Sequence, residues 1–308
     1  MRRAPIALVS GVIVLALAAG PWGTALAQQQ ITFHHATDVD PTWSPDGTQI
    51  AFASTREGSY DIWVIPSNGG AATRITTHVA SDSDPAWSPD GSRIAFTSDR
   101  AGGHDIWVIP AVGGDAVRIT NDPHDDLAPC WSPDGSMLAF YSNRAGSYDI
   151  WTIPASGGAA TQLTNDPGLD AQPAWSPDGT TIAFASSRIA PEQYDLYLIP
   201  AIGGAAARLT DLDDDEVEPC WSPDGSQIAF AYCIVGGGTG DIWTVPAVGG
   251  VPTQVTTHPA LERQPAISPT GSRIAFMSVR SGNADIWVMD APVPVEGVTW
   301  GAIKASFR

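Results

Sequence analysis

The sequence has 308 residues, and its 33 acidic residues outnumber 15 lysines and arginines, which gives a formal net charge of −18. Such an acidic chain is a poor candidate for binding nucleic acids, because neutralising phosphates requires clustered lysine and arginine side chains. The sequence contains three cysteines, Cys130, Cys220 and Cys233. Their positions in the repeat described below bring no two within disulfide distance, so we expect free thiols.

The first 27 residues have the pattern of a secretory signal peptide. Arg2 and Arg3 precede an apolar run over residues 6–19, and a small-residue cleavage site follows before Gln28. The run is too short to span a membrane, and it ends at a Gly-Pro pair. We therefore expect a signal peptide at residues 1–27, a mature chain without a transmembrane segment, and a periplasmic or secreted location.

One pentapeptide, Trp-Ser-Pro-Asp-Gly, recurs through the chain at a nearly constant spacing. Five copies are followed by a degraded sixth that begins at Ile267, and successive copies are 44, 44, 44, 46 and 46 residues apart. A fixed period of this size indicates stacked supersecondary units. The five complete copies begin at Trp43, Trp87, Trp131, Trp175 and Trp221.

Each repeat is predicted to form four short strands, named A to D. In the first repeat they cover residues 41–44, 49–54, 61–66 and 72–77, and turn-forming Pro-Asp-Gly and Gly-Gly sequences separate A from B and C from D. Six such units predict an all-β fold, a six-bladed β-propeller of four-stranded antiparallel blades that occupies residues 28–290.

The sixth unit has no strand D after Asp290. The segment Gln30-Ile31-Thr32-Phe33 resembles strand D of the first unit, Arg74-Ile75-Thr76-Thr77, and stands at the same distance before a strand-A proline. We therefore expect the N-terminal strand to complete the last blade, which would close the ring and remove a free sheet edge.

The motif S-P-D-G followed by I-A-F, and then by S-x-R-x-G-x-x-D-I-W, resembles the PD40, or WD40-like, repeats of TolB-type propellers over about residues 30–290. This resemblance implies a propeller that binds a protein partner in the cell envelope. Similar repeats occur in prolyl-oligopeptidase-type enzymes, which carry a hydrolase domain with a G-x-S-x-G elbow. The sequence contains no such motif.

The two ends of the blades form two faces of the propeller. We call the end with the A–B and C–D turns the turn face, and the end with the B–C and D–A loops the loop face. An acid stands three residues before each strand-A proline. We call these six residues the blade acids. Asp40, Asp84 and Glu218 stand one residue before the proline, and we expect both sets to approach the central mouth of the loop face, where they would attract cationic ligands. The alternative is that each blade acid pairs with the arginine that follows strand B of its own blade. The blade acids are Asp38, Asp82, Asp126, Asp170, Glu216 and Glu262, and the arginines are Arg56, Arg100, Arg144, Arg188 and Arg280.

Blades four and five depart from the pattern on the loop face. Both carry two-residue insertions in the B–C loop, at residues 188–194 and 233–240, and loops on a rigid scaffold often carry function. In blade five, Tyr232 and Ile234 replace the usual serine and arginine, so we expect surplus negative charge there. Besides the blade acids, the candidate partner-binding residues are therefore Arg188, Tyr194, Asp213, Asp214, Asp215 and Glu218.

These patterns predict an exported, monomeric binding scaffold with no catalytic residue, no cofactor and no metal site, whose partner is a protein, peptide or other envelope component. The alternative is an enzyme, a lyase or hydrolase that uses carboxylates at the central mouth. Ca²⁺ binding by the blade acids, or by Asp213-Asp214-Asp215, which we call the acidic run, is a further alternative, although the sequence has no D-x-[DN]-x-[DN]-G loop. The C-terminal tail, residues 291–308, is either a sorting or anchoring element or a disordered or surface-docked end.

Overall fold

The computed structural model describes residues 27–190, 193–235 and 238–292. Within these residues the chain forms 24 strands in six antiparallel sheets of four strands each. Each sheet is one blade of a β-propeller, which confirms the predicted fold. The predicted signal peptide and C-terminal tail lie outside the described residues, apart from Ala27, Ala291 and Pro292.

The strands follow one another in the order A, B, C, D. Blade one contains β2 (Asp38–Trp43), β3 (Gln49–Glu57), β4 (Ser59–Pro66) and β5 (Thr73–Arg74); blade two contains β6 (Asp82–Trp87), β7 (Arg93–Ser98), β8 (Asp105–Pro110) and β9 (Val117–Arg118). Blade three contains β10 (Asp126–Trp131), β11 (Met137–Ser142), β12 (Asp149–Pro154) and β13 (Thr161–Gln162); blade four contains β14 (Asp170–Trp175), β15 (Thr181–Ala190), β16 (Gln193–Pro200) and β17 (Ala207–Arg208). Blade five contains β18 (Asp215–Trp221), β19 (Gln227–Cys233), β20 (Gly240–Pro246) and β21 (Thr253–Gln254); blade six contains β22 (Glu262–Ile267), β23 (Arg273–Ser278), β24 (Asp285–Asp290) and the N-terminal β1 (Gln28–Gln30).

The ring closes as the sequence predicts. Strand β1 pairs with β24 so that Gln30 lies opposite Trp287, and the N–H of Ile31 continues the pairing to the carbonyl of Ile286 at 2.8 Å. In blade one, Arg74 pairs with Trp63 in the same way. The first strand of the propeller therefore occupies the strand-D position of the last blade.

The hydrophobic core lies between neighbouring blades. Between blades one and two, for example, Ile62 and Val64 of the first blade pack against Ile94 and Phe96 of the second. The fourth residue of every strand B is a fully buried phenylalanine: Phe52, Phe96, Phe140, Phe184, Phe230 and Phe276.

Strands A and D differ from their predicted extents. Strand A of blade one begins at Asp38 rather than at residue 41, and its pairing with strand B shifts between Val39 and Thr42. The same bulge recurs in all six blades. Strand D forms only two ladder residues in blades one to five, because the chain then turns inward to the next blade.

The turn face is held by local hydrogen bonds. In the first A–B turn, Asp46 accepts hydrogen bonds from the Ser44 hydroxyl at 2.6 Å and from the Thr48 N–H at 3.0 Å. Gly47 completes this turn at a φ of 70°, which favours glycine. The three cysteines are free, as predicted, and partly buried. Nowhere in the described ranges does the chain form a helix long and apolar enough to cross a membrane.

Candidate functional site

The blade acids lie inside the blades. Asp38 has no exposed surface, and both of its carboxylate oxygens accept hydrogen bonds from Nη2 of Arg56 at 2.8–3.0 Å. The same arginine donates from Nε to the Ser54 hydroxyl at 2.9 Å, and its guanidinium lies 4.7 Å from the ring centroid of Trp63. Ion pairs of this kind recur in blades two, three, four and six: Asp82–Arg100, Asp126–Arg144, Asp170–Arg188 and Glu262–Arg280.

The geometry therefore favours the alternative in which these acids pair with the arginines of their own blades. A fully buried, ion-paired carboxylate does not form part of the surface that a partner could contact. Each of these five blade acids holds its arginine over the aromatic ring that recurs in strand C. Their role is therefore to stabilise the blade. Arg188 has the same role in blade four, where its guanidinium lies 4.5 Å from the ring centroid of Tyr197.

Blade five uses a different set of contacts. Glu216 is fully buried, and it accepts hydrogen bonds from the Thr210 hydroxyl and from the Leu212 N–H, the latter at 2.7 Å. Desolvation by burial raises the pKa of Glu216 to about 7, because no arginine faces it. Tyr232 takes the arginine's place beside the strand-C aromatic residue, with its ring centroid 5.3 Å from that of Trp243.

Two residues of the acidic run accept hydrogen bonds, and the third is exposed to solvent. Asp214 accepts a hydrogen bond from the Tyr232 hydroxyl at 3.1 Å, and Asp215 accepts one from the Tyr194 N–H at 3.0 Å. Asp213 is exposed. The two insertions are therefore joined to the acidic run through the N–H of Tyr194 and the N–H of Val235, which donates to Asp214 at 3.2 Å. Asp213 is the member of the run that remains open to solvent.

The central channel is lined by a different position of the repeat. The residue directly before each strand-A proline faces a cavity of about 220 Å³ on the propeller axis, two residues along the chain from the blade acid. We call these six residues the channel ring: Asp40, Asp84, Ala128, Gln172, Glu218 and Gln264.

The bulge in strand A presents the channel ring to the axis. All six ring residues have φ between 47° and 58°, in the left-handed region that residues other than glycine seldom adopt. Their side chains link neighbouring blades, because the N–H of Asp40 donates to Gln264 at 3.0 Å, and the N–H of Gln264 donates to Glu218 at 2.7 Å. Around the axis the ring is therefore a continuous set of side-chain-to-backbone hydrogen bonds over blades four, five, six and one, completed by Glu218 N–H to Gln172 at 3.1 Å.

Three carboxyl groups share this narrow channel. Desolvation raises the pKa of Asp40 well above its ordinary value of 3.8, and the charges of Asp84 and Glu218 add to the effect. Desolvation also raises the pKa of Asp84 and of Glu218, although the nearby Arg263 guanidinium, 2.9 Å from Glu218, opposes the shift at Glu218. The expected surplus charge at Glu218 is thus neutralised by Arg263 of blade six, and within the described residues Asp40 and Asp84 are the channel carboxyl groups without a salt-bridge partner.

Sequence analysis places Asp40, Asp84 and Glu218 near the central mouth, where the structure has them, but it counts only Glu218 among the candidate partner-binding residues and omits Gln172 and Gln264. Their signal was available, since the position before a repeated proline changes chemistry from blade to blade while the proline is kept. The bulge that turns this position toward the axis was not visible in the sequence.

Among residues 27–190, 193–235 and 238–292, no group of three or more His, Cys, Asp or Glu side chains is placed to hold a metal ion.

A profile of the PD40 family, described as the TolB beta propeller domain, matches residues 23–126 and 119–232. Together the two ranges cover more than half of the chain. The chain belongs to the PD40 family. None of the curated proteins matches the sequence.

Solved structures share the PD40 propeller fold at low sequence identity. A protein assigned as TolB from Agrobacterium tumefaciens superposes with a TM-score of 0.69 at 23% identity, covering 85% of this chain and 93% of that chain. TolB from Acinetobacter baumannii gives a TM-score of 0.68 at 24% identity, covering 78% of this chain and 62% of that chain. A gluconolactonase from Xanthomonas campestris gives 0.67 at 11% identity, covering 87% and 90%. At these identities the likeness shows the fold alone, and the fold hosts both TolB proteins and enzymes.

Proposed function

We propose that this PD40 propeller is an exported, non-catalytic scaffold that binds a cationic segment of a protein or peptide partner in the cell envelope through its loop face. The observation that carries the proposal is the channel ring. It supplies three carboxyl groups, from Asp40, Asp84 and Glu218, to one opening on the propeller axis. The residue at the channel-ring position varies between blades, whereas the turns and the blade acids recur in every blade and stabilise it.

The charge around the opening supports a cationic ligand. Asp213 is exposed beside blade five. Asp211 is also exposed, but it pairs with Arg208 at 2.6 Å and therefore adds less free negative charge. A surface of one sign raises the local concentration of oppositely charged ligands and speeds their association. Binding of a positive charge would also favour the ionised forms of Asp40 and Asp84, whose burial otherwise favours the protonated forms.

We assign the direct contacts with the partner to the channel ring and to Asp213, and not to the buried blade acids. The latter act as positioning residues for the blade, and their substitution would disturb the fold. The likeness to TolB structures supports a protein partner. The signal-peptide pattern supports a periplasmic or secreted location.

The test compares two charge-matched variants of the full chain. Asp40→Asn/Asp84→Asn removes two carboxylates from the channel, and Asp115→Asn/Asp290→Asn removes two exposed carboxylates from the turn face. We would measure affinity capture from an envelope extract, and titration calorimetry with a lysine-rich peptide and its glutamine counterpart. We expect the channel variant to lose both the captured partner and the lysine-peptide binding, and the turn-face variant to keep them. Equal binding by all three proteins would refute the proposal.

A second candidate function is catalysis, by a hydrolase or lyase that acts on a sugar substrate, and one observation favours it. The raised pKa of Asp40, beside Asp84 and Glu218, is typical of a general acid held ready for proton transfer. Against it, a cavity of about 220 Å³ is smaller than most small-molecule sites. Proton release from a panel of sugar lactones would distinguish the two functions. An enzyme would lose turnover at least about 100-fold on Asp40→Asn, and a scaffold would show no turnover in either protein.

A further inference from the structure

The first residue of the pentapeptide fills the groove between its own blade and the preceding one. The indole N–H of Trp43 crosses from blade one to the carbonyl of Ala266 in blade six at 2.9 Å. Trp131 bonds the carbonyl of Ala86 at 3.0 Å in the same way, and Trp221 bonds the carbonyl of Ala174 at 3.0 Å. A tryptophan in this position thus joins two blades near the turn face, by packing and by one hydrogen bond.

The groove between blades five and six lacks this indole because Ile267 stands at the first position of the degraded sixth pentapeptide. A cavity of about 470 Å³ lies there, and its walls include Pro223, Gln227 and Thr244 of blade five and Ile267 and Ile274 of blade six. We call this cavity the five–six groove. It is larger than the cavity on the propeller axis.

The groove between blades three and four provides a comparison. Its tryptophan, Trp175, donates its indole N–H to Gly179 of its own turn at 3.0 Å instead of crossing to blade three. A cavity of about 280 Å³ remains between these blades, with Trp175 in its wall. The indole N–H of Trp87, between blades one and two, is buried without a hydrogen-bond partner among the described residues. The cavity beside Trp175 is smaller than the five–six groove, where isoleucine replaces the indole.

The five–six groove keeps the surroundings of an indole. In two other grooves the first residue of strand B in the preceding blade covers the indole: the guanidinium of Arg273 lies 4.7 Å from the ring centroid of Trp43, and that of Arg93 lies 4.7 Å from that of Trp131. Gln227 holds this position in the five–six groove. The residue before the pentapeptide of blade five, Cys220, supplies the equivalent backbone carbonyl. The groove therefore has a covering side chain and an acceptor, but no indole of its own blade.

The chain itself leaves the propeller through this groove. Ala291 and Pro292, which follow the last strand, line the cavity, and residues 293–308 continue from there. Those residues contain one tryptophan, Trp300. Trp300 stands eight positions after Pro292, and an extended segment of that length spans up to about 26 Å, so Trp300 can reach any part of the groove.

We infer that the C-terminal segment docks in the five–six groove with the Trp300 indole in the position that the other pentapeptides fill from their own blade. The indole would pack between Gln227 and Ile267 and donate its N–H to the carbonyl of Cys220. The C-terminal segment is then part of the propeller, and both ends of the chain complete blade six: the N-terminus supplies its strand D, and the C-terminus supplies its missing tryptophan.

The test is tryptic cleavage after Lys304 in the folded full chain, followed by mass spectrometry. Ile267→Trp should fill the groove from blade six and displace the segment, and Ile267→Val should leave the groove open as the matched control. Trp300→Ala removes the docking residue without touching the propeller, and Phe307→Ala is its control. We expect cleavage in Ile267→Trp and Trp300→Ala to be at least about tenfold faster than in wild type, which corresponds to about 1.4 kcal/mol of docking free energy, with both controls remaining close to wild type.

Three results would overturn the inference. Cleavage at the same rate in wild type and in Trp300→Ala would show that the tryptophan does not hold the segment. Slow cleavage that persists in folded Ile267→Trp would place the segment elsewhere. Uptake of added N-acetyl-tryptophanamide by wild type as readily as by Trp300→Ala, followed by tryptophan fluorescence, would show that the groove is vacant and receives another occupant.

Fluorine NMR of 5-fluorotryptophan-labelled protein gives an independent reading, because the Trp300 resonance should move in Ile267→Trp and stay in Ile267→Val.

Discussion

The hydroxyl of Thr32 donates a hydrogen bond to the carboxylate of Asp285, at 3.1 Å, and so joins the beginning of the propeller to its last blade. Thr32 also accepts a hydrogen bond from the N–H of Ile286 at 3.0 Å. Within blade one, Thr76 and Asp61 form the corresponding contact at 3.4 Å. The closure of the ring therefore repeats the bonds that hold strand D to strand C in a blade made from continuous chain.

Thr32→Val should weaken this closure. The change leaves a buried carboxylate and a buried N–H without one of their partners, and we expect the free energy of unfolding to fall by about 1–3 kcal/mol in urea denaturation. Thr76→Val is the matched control, with a similar loss of stability but no release of the N-terminus to proteolysis. Deleting residues 28–36 should lower the Tm further, and an unchanged Tm after this deletion would contradict the role of β1.

Glu216 should make stability depend on pH. Its pKa is about 7 in the folded protein against an ordinary value of 4.5, so the protonated form favours folding. The contribution of Glu216 to the free energy of unfolding is fully present below pH 4.5 and falls by about 3 kcal/mol as the pH rises through 7. Glu216→Gln stays neutral and should lose this decline, as measured by urea denaturation at several pH values. Asp213→Asn, at an exposed acid, should keep the wild-type decline; a Glu216→Gln protein that kept it as well would contradict the assignment.

Arg100→Met should be among the most destabilising single substitutions, because it leaves the fully buried Asp82 unpaired. Breaking a buried ion pair from one side costs about 3–5 kcal/mol. Adding Asp82→Asn should recover part of that loss, and chemical denaturation of the single and double variants measures the coupling. Arg93→Met, which removes only the guanidinium over Trp131, should cost about 0.5–1 kcal/mol. A loss no larger than this for Arg100→Met would argue against the structural role of the blade acids.

Gly168→Ala should destabilise blade four. A Cβ at this position would lie 2.6 Å from the Cα of Arg188 and 3.0 Å from the carbonyl carbon of Ser187, and backbone atoms cannot yield as a side chain does. We expect a loss of about 1–3 kcal/mol by thermal denaturation. Gly103→Ala, whose nearest neighbour would be the Pro123 carbonyl oxygen at 4.0 Å, should be neutral or slightly stabilising. Equal Tm values for the two variants would show that the loop of blade four relaxes freely.

The fold was predictable because its signals are local and repeated. The pentapeptide at Trp43 specifies its own turn, and the match between Gln30-Ile31-Thr32 and Arg74-Ile75-Thr76 gave the register of closure. These features depend on residues close in sequence or on comparison of one repeat with another, and both can be read from the chain alone.

The site was less predictable because it depends on the path of the backbone and on contacts between blades. The blade acid Asp38 and the ring residue Asp40 are two positions apart, yet the bulge sends the first into the blade and the second toward the axis. The partner of Glu218 is Arg263, one repeat further along the chain. The sequence showed that Ile267 replaces a tryptophan, but the cavity that results needs the positions of both blades.

The pairing of β1 with β24 also sets the order of assembly. Strand β1 is made first and its partner last, so the longest-range pairing of the propeller forms only when the whole chain is present. Contacts of such sequence separation are slow to form, because the entropy of closing the loop must be overcome first. Until then the nascent chain exposes an unpaired strand and an open edge of blade six, which are the surfaces from which domain swapping and aggregation begin. The pairing of β1 with β24 thus determines when these surfaces become covered and can no longer associate with other chains.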